Sequence, residues 1–194
     1  MTRPRILFVR HGETDWNAEG RLQGQHDIPL NAVGREQADR VGTTLARLVP
    51  GIGDLDFVAS PLGRTRETME RLRAVIGLAP EAYGLDERLK EITFGSWEGL
   101  TWPEVRARDA AAASERERRK WDYVPPGGES YAMLLERVRP AIDALTRETV
   151  LVSHGGVARV LLAMLCNVSP RQAAGLDIWQ GRVLVIADGH FTWE

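Results

Sequence analysis

Ile6-Leu7-Phe8-Val9 runs directly into Arg10-His11-Gly12-Glu13-Thr14. Four consecutive apolar residues show no alternation, so the run reads as a strand covered on both faces, as in a parallel sheet. At its end the chain turns to a cation, an imidazole and a glycine. The same change recurs twice. Asp56 to Ser60 reads as a second short strand, ending in Ser60-Pro61-Leu62-Gly63-Arg64-Thr65. Thr149-Val150-Leu151-Val152 reads as another, ending in Ser153-His154-Gly155-Gly156. Open α/β sheets bind ligands at the carboxyl ends of strands. Three strand ends with the same kind of cargo therefore predict one site.

The segments between them supply the helices. A polar, Gly-containing loop is expected from His11 to Leu30, after which Asn31 caps a helix running to about Val49, where Pro50-Gly51 stops it. Pro61 suits the first turn of the next helix, which runs to about Ile76 before Gly77. Ser130 caps a helix to about Thr146 with Pro140 inside it, a source of kinking. An apolar helix follows Gly156, and Asp188-Gly189 between Val183–Ala187 and Phe191–Trp193 is a two-residue hairpin signal. This alternation predicts a single domain over residues 1–194, an α/β three-layer α/β/α sandwich with a mostly parallel central sheet. The less regular region from Ala82 to Pro126 predicts a small insertion over the site, at about 94–128. Trp97, Trp102 and Trp121 read as packing beneath it, and the charge run Glu115 to Lys120 as a solvated helical face.

Composition narrows the class. The 194 residues are 43% hydrophobic and 27% charged, enough to bury one substantial core. A formal net charge of -2 argues against a nucleic-acid surface or a basic membrane patch. The one cysteine, Cys166, excludes an intramolecular disulfide and a Cys-rich zinc site, and it lies in an apolar run as a buried small hydrophobe. No apolar stretch approaches the roughly 18 residues of a membrane span. The basic start Met1 to Arg5 is followed by only four apolar residues before Arg10, unlike a signal peptide, so a cytoplasmic location is expected.

The three strand ends carry two histidines and two arginines, with Glu13 the only acid among them. Neutral imidazole is a competent nucleophile near pH 7. Arginine offers a planar fork that matches phosphate oxygens. Gly12, Gly155 and Gly156 let backbone approach an anion closely. Phosphoryl transfer needs mainly positioning and charge stabilisation, which such a cage supplies. There is no carboxylate array and no zinc-like histidine spacing, so neither a metal nor another cofactor is expected.

Further motifs extend this pattern: Asp15-Trp16-Asn17, Gln23-Gly24, Asp27-Ile28-Pro29-Leu30, Gly34-Arg35-Glu36-Gln37-Ala38, and Glu67-Thr68 after Arg64. Arg88-Leu89-Lys90-Glu91, Gly95-Ser96-Trp97-Glu98-Gly99, Gly128-Glu129-Ser130 and His154-Gly155 complete the order. The ordered set resembles the histidine phosphatase superfamily, the phosphoglycerate mutase-like proteins, over most of the chain. The resemblance implies that His11 is the phosphorylated histidine and that Arg10, Arg64 and His154 form the phosphate pocket. It implies Glu91 as proton donor and acceptor, Asn17 and Gln23 as polar lining, and Gly24 and Gly155 as further phosphate-site positions. Only the family spacing selects Glu91 over Glu13, Glu87 and Glu98. His190 reads as structural, and His26 as bordering the pocket mouth.

Within that family the phosphatase branch is the closer resemblance. The chain ends at Glu194 just after the hairpin, where the mutases carry an extended tail, and Gly128-Glu129-Ser130 looks like the phosphatase members. A small phosphorylated metabolite is the expected partner, and a homodimer is admissible. Phosphoglycerate mutase is the alternative, kept open by Arg116, Arg118, Arg119 and Lys120. A non-catalytic phospho-ligand module is the alternative of another class; such a module is expected to lose the nucleophile or the acid, and both matched positions are intact.

Overall fold

The apolar run at the start of the sequence forms β1 (Ile6–Arg10), which lies between β4 (Thr149–Ser153) and β5 (Val183–Ala187) in a six-stranded sheet. The sheet is that of a computed structural model that describes residues 3–194. Its order is β3-β2-β4-β1-β5-β6, with β2 at Asp56–Ala59, β3 at Gly84–Leu85 and β6 at His190–Trp193. β3, β2, β4 and β1 run parallel; β5 is antiparallel to β1, and β6 returns antiparallel to β5.

Side chains alternate across a strand, and this alternation splits the core in two. Ile6 and Phe8 join Leu151, Leu184 and Ile186 under α6 (Tyr131–Asp143) and α7 (Gly155–Leu165). Leu7 and Val9 join Val150, Val152 and Val183 under α2 (Ala32–Leu48) and α3 (Gly63–Val75). The result is the expected three-layer α/β/α arrangement. Asn31 caps α2 through a bond from the Gly34 N–H at 2.9 Å, and Ala38, Val41 and Leu45 line its buried face. Among the described residues no helix is long and apolar enough to cross a membrane.

Several elements depart from expectation. The loop after β1 contains a one-turn helix, α1 (Asp15–Ala18), made by a reciprocal capping box between Thr14 and Asn17. The two-residue strand β3 is too short for any periodic signal. The helix capped by Ser130 stops at Asp143, short of Thr146, because the Leu145 N–H turns back to the Ile142 carbonyl at 3.2 Å. Between β3 and α6 lie α4 (Trp102–Arg108) and α5 (Ala110–Arg118), with a small core of Leu22, Trp97, Val105 and Ala113. The charge run there is not uniformly solvated. Arg116, three residues after buried Ala113 and so on the same helix face, is 5% exposed and stacks its guanidinium 4.1 Å from the Trp102 ring centroid. Arg118 and Arg119 remain exposed.

Candidate active site

Strand register assembles the site. Arg10 pairs with Ser153 across β1 and β4, and Ala59 pairs with Val152 across β2 and β4. The His11 N–H then reaches the Ser153 carbonyl at 2.9 Å, and the Ser60 N–H the Val152 carbonyl at 3.0 Å. His11, Ser60 and His154 therefore leave the sheet side by side. The two imidazoles pack edge-on, 5.2 Å between centroids, and both are buried.

His11 Nδ1 lies 2.8 Å from the Gly12 carbonyl. A carbonyl only accepts, so Nδ1 carries the proton and Nε2 keeps its lone pair. Burial, followed by the charges of Arg64 and Arg10, holds the His11 pKa well below the usual histidine value, so the ring is neutral at pH 7. Gly12 is required at its position: a Cβ there would run into the Gly34 carbonyl. Its N–H donates to Thr68 Oγ1 at 3.1 Å.

Arg64, in the first turn of α3, is fully buried. Its Nη1 donates to the His26 carbonyl at 2.6 Å and its Nη2 to the Gly24 carbonyl at 2.8 Å. The edge formed by Nε and Nη2 faces Nε2 of His11 and Nδ1 of His154, each at 3.3 Å. Gly24, at φ +51°, thus contributes its carbonyl to Arg64. Arg10 donates from Nη1 to the Ile178 carbonyl at 2.8 Å, while its Nε is buried without a protein partner. Burial pushes the Arg10 pKa down to about 10; Glu91 opposes this, and Arg159 and Arg64 add to it.

Glu91 faces the pocket from the segment after β3. Its Oε1 accepts from the Ile92 N–H at 2.9 Å and from the Gly156 N–H at 3.0 Å. The segment is clamped by Arg137 of α6, which donates to the carbonyls of Arg88, Lys90 and Glu91 and forks onto Glu129 at 2.9 and 2.8 Å. Leu89 and Ile92, on either side, are buried in the α6–α7 core. Glu98, a rival carboxylate by sequence, is instead occupied by Thr93 Oγ1 at 2.7 Å and the Phe94 N–H at 3.0 Å, with His26 at 3.4 Å.

The remaining expected positions surround this centre. Asn17 Oδ1 accepts from the Thr14 N–H at 3.2 Å and from Gln180 Nε2 at 3.0 Å. Gln23 Nε2 donates to Thr14 Oγ1 at 2.7 Å, leaving its buried Oε1 without a partner. Gly155 opens α7, and a Cβ on it would touch Arg159 Nη1 and Arg10 Nε. Glu13, the acid in the first motif, is turned away, accepting from Asn31 at 2.9 Å.

Two contributors escape sequence reasoning. Gln180 joins the His11 carbonyl to Asn17, 3.0 Å to each, from an irregular stretch before β5 that has no periodic signal. Arg159 lies one turn into α7, where an arginine in an apolar helix is the only hint. Among the described residues no three His, Cys, Asp or Glu side chains are grouped to hold a metal.

Comparison with known proteins gives this arrangement a lineage. The model of the histidine phosphatase superfamily (branch 1) matches residues 6–193. The glucosyl-3-phosphoglycerate phosphatase of Mycobacterium tuberculosis is 35% identical over 181 residues, 87% of this chain and 78% of that protein. A Salmonella paratyphi C protein named "Probable phosphoglycerate mutase GpmB" is 34% identical over 184 residues, 92% of this chain and 79% of its own. A solved structure of the mycobacterial glucosyl-3-phosphoglycerate phosphatase, in complex with VO3, superposes with a TM-score of 0.83 at 31% identity, covering 98% of this chain and 96% of that one. The chain belongs to the histidine phosphatase superfamily. Its function class is that of a small-molecule phosphatase of that superfamily.

Proposed function

We propose that the chain hydrolyses small phosphomonoesters in two displacements at phosphorus, with His11 as nucleophile and without metal. The observation that carries this is the pair of fixed imidazole nitrogens. His11 Nδ1–H is tied to Gly12, and its Nε2 lone pair faces the Nε–Nη2 edge of Arg64. A phosphoryl group seated on that edge lies in front of a neutral nucleophile.

In the first step Nε2 of His11 forms a bond to phosphorus as the ester P–O bond breaks. The electron pair leaves with the alkoxide, which takes a proton from Glu91. In the second step Glu91 takes the proton back from a water that attacks phosphorus. The P–N bond then breaks, its electrons return to Nε2, and inorganic phosphate leaves. Arg10 and Arg64 neutralise the equatorial oxygens throughout, the part a metal plays elsewhere.

The activity for which the mycobacterial relative is named supports a phosphorylated sugar or sugar acid as substrate. The likeness to the GpmB protein favours testing transfer to phosphoglycerate as the second reading. A panel of phosphomonoesters and 3-phosphoglycerate, assayed with and without EDTA, decides between them. Free phosphate released at the same rate in EDTA is expected. Rapid interconversion of 3- and 2-phosphoglycerate would assign a mutase, and a metal requirement restored by one added ion would refute the cage mechanism.

A further inference from the structure

His154 is held from opposite sides by partners that fix its proton. Arg64 Nη2 lies 3.3 Å from Nδ1, and Ser60 Oγ lies 2.8 Å from Nε2. A guanidinium only donates. Nδ1 therefore holds a lone pair, and Nε2 carries the proton, donated to Ser60. Ser60 is buried at the end of β2, and its other neighbour is the Leu62 N–H at 3.5 Å. Nδ1 of His154 and Nε2 of His11 face the same fork edge of Arg64, so both look onto the place where phosphoryl oxygens must sit.

This arrangement suits Arg64 but not an anion. A phosphoryl oxygen that takes the Nη2 donor meets Nδ1 lone pair against lone pair. The conflict is removed when Nδ1 gains a proton. The charged and titratable groups acting on His154 are Arg64 from α3, Arg10 at the end of β1, His11 just after it, and Arg137 from α6, all cationic or neutral. Together with burial they keep the ring neutral, its pKa well below the usual value. A bound dianion reverses that field.

We propose that His154 takes up one proton at Nδ1 when a phosphoryl dianion binds, and that Ser60 is the positioning residue that directs it there by accepting the Nε2–H. The proton comes from solvent. The Nδ1 lone pair becomes an N–H bond, and the resulting imidazolium donates to a phosphoryl oxygen while Ser60 holds the opposite side of the ring. The inference rests on the reading of this pocket as a phosphate cage. It makes dianion affinity fall as pH rises, by up to about tenfold per pH unit where one proton is linked.

The test uses inorganic sulfate, a dianion that does not itself titrate near neutrality. With ¹⁵N-histidine-labelled protein at pH 7.5, saturating sulfate should convert His154 from one protonated nitrogen to two. Calorimetry in buffers of different ionisation heat should report about one proton taken up per sulfate. A ring that stays neutral, with Nδ1 unprotonated or with its proton moved from Nε2 to Nδ1, would overturn the proposal. Ser60→Ala, checked for an intact fold by its melting curve, should lose most of the proton uptake and bind sulfate about tenfold more weakly. Unchanged uptake in that variant would remove Ser60 from the device, as would an Nε2–H of the wild-type ring that exchanges with solvent at once. Failure to bind sulfate at any pH would instead count against the phosphate-cage reading itself.

Discussion

Arg64 donates from Nε to Nε2 of His11 across 3.3 Å, so the lone pair of the proposed nucleophile rests on a donor that, in the proposed mechanism, phosphate also uses. The contact opposes protonation of His11 and keeps Nε2 aimed along one line. In the proposed mechanism a bound phosphoryl oxygen takes over this donor and frees the lone pair toward phosphorus.

His11→Ala should therefore abolish turnover, by at least about 10³-fold in kcat/KM, and prevent base-stable, acid-labile phosphate labelling of the protein. Labelling that persists in the variant would place the nucleophile elsewhere.

Glu91→Gln separates the two displacements. Alkyl and sugar phosphates should slow by roughly 10²–10⁴-fold, the range for losing general acid–base catalysis. With p-nitrophenyl phosphate the first step needs little proton transfer, so stopped-flow traces should show a nitrophenolate burst followed by slow turnover. Equal losses in burst and steady state for good and poor leaving groups would reduce Glu91 to a structural role.

Gly156 offers a gentler probe of the same group. A Cβ at this position would collide with Glu91 Oε1. Gly156→Ala should displace the carboxylate while leaving Arg10, Arg64 and His11 in place. Vanadate inhibition is expected to stay within about threefold, while alkyl phosphate turnover falls by tenfold or more. Parallel loss of both would show that the change disturbs the cage as a whole.

The buried histidines also predict an acid-sensitive fold. His11 and His154 have folded pKa values well below the usual 6.5, whereas in the unfolded chain they protonate normally. Their contribution to stability is complete above pH 6.5 and is lost as pH falls from there toward the folded values. The slope is about 1.4 kcal/mol per pH unit for each ring. Urea unfolding at pH 7.5 and 5.5 should show His154→Gln losing less stability over that interval than wild type. Identical losses would mean that His154 is already charged in the folded protein.

The sheet and the strand-end residues were legible because both announce themselves locally. Ile6–Val9 and Val150–Val152 are continuous apolar runs, and His11 and His154 follow them directly. Glu91 had no such flag. Its place depends on Arg137 gripping three carbonyls from a helix some 46 residues away, a contact that no local pattern records. Gln180 is similar: its reach to Asn17, 163 residues distant, exists only once β5 lies beside β1. The burial of Arg116 was missed because four cations in five residues read as one solvated face, while the helix turns only one of them inward onto Trp102.

The strand that leads into His11 has a further property, seen in the order in which its partners are made. β1 pairs with β4 and β5 alone, whose residues are 149–153 and 183–187. On a translating ribosome at roughly 5–20 residues per second, Ile6–Arg10 waits on the order of ten seconds for its first neighbour to be synthesised. Throughout that time its apolar edge is unmated and available to other chains. The protein therefore cannot acquire activity piecemeal during synthesis. Closure of the sheet awaits the last quarter of the chain, and it is the same event that brings His11 and His154 together.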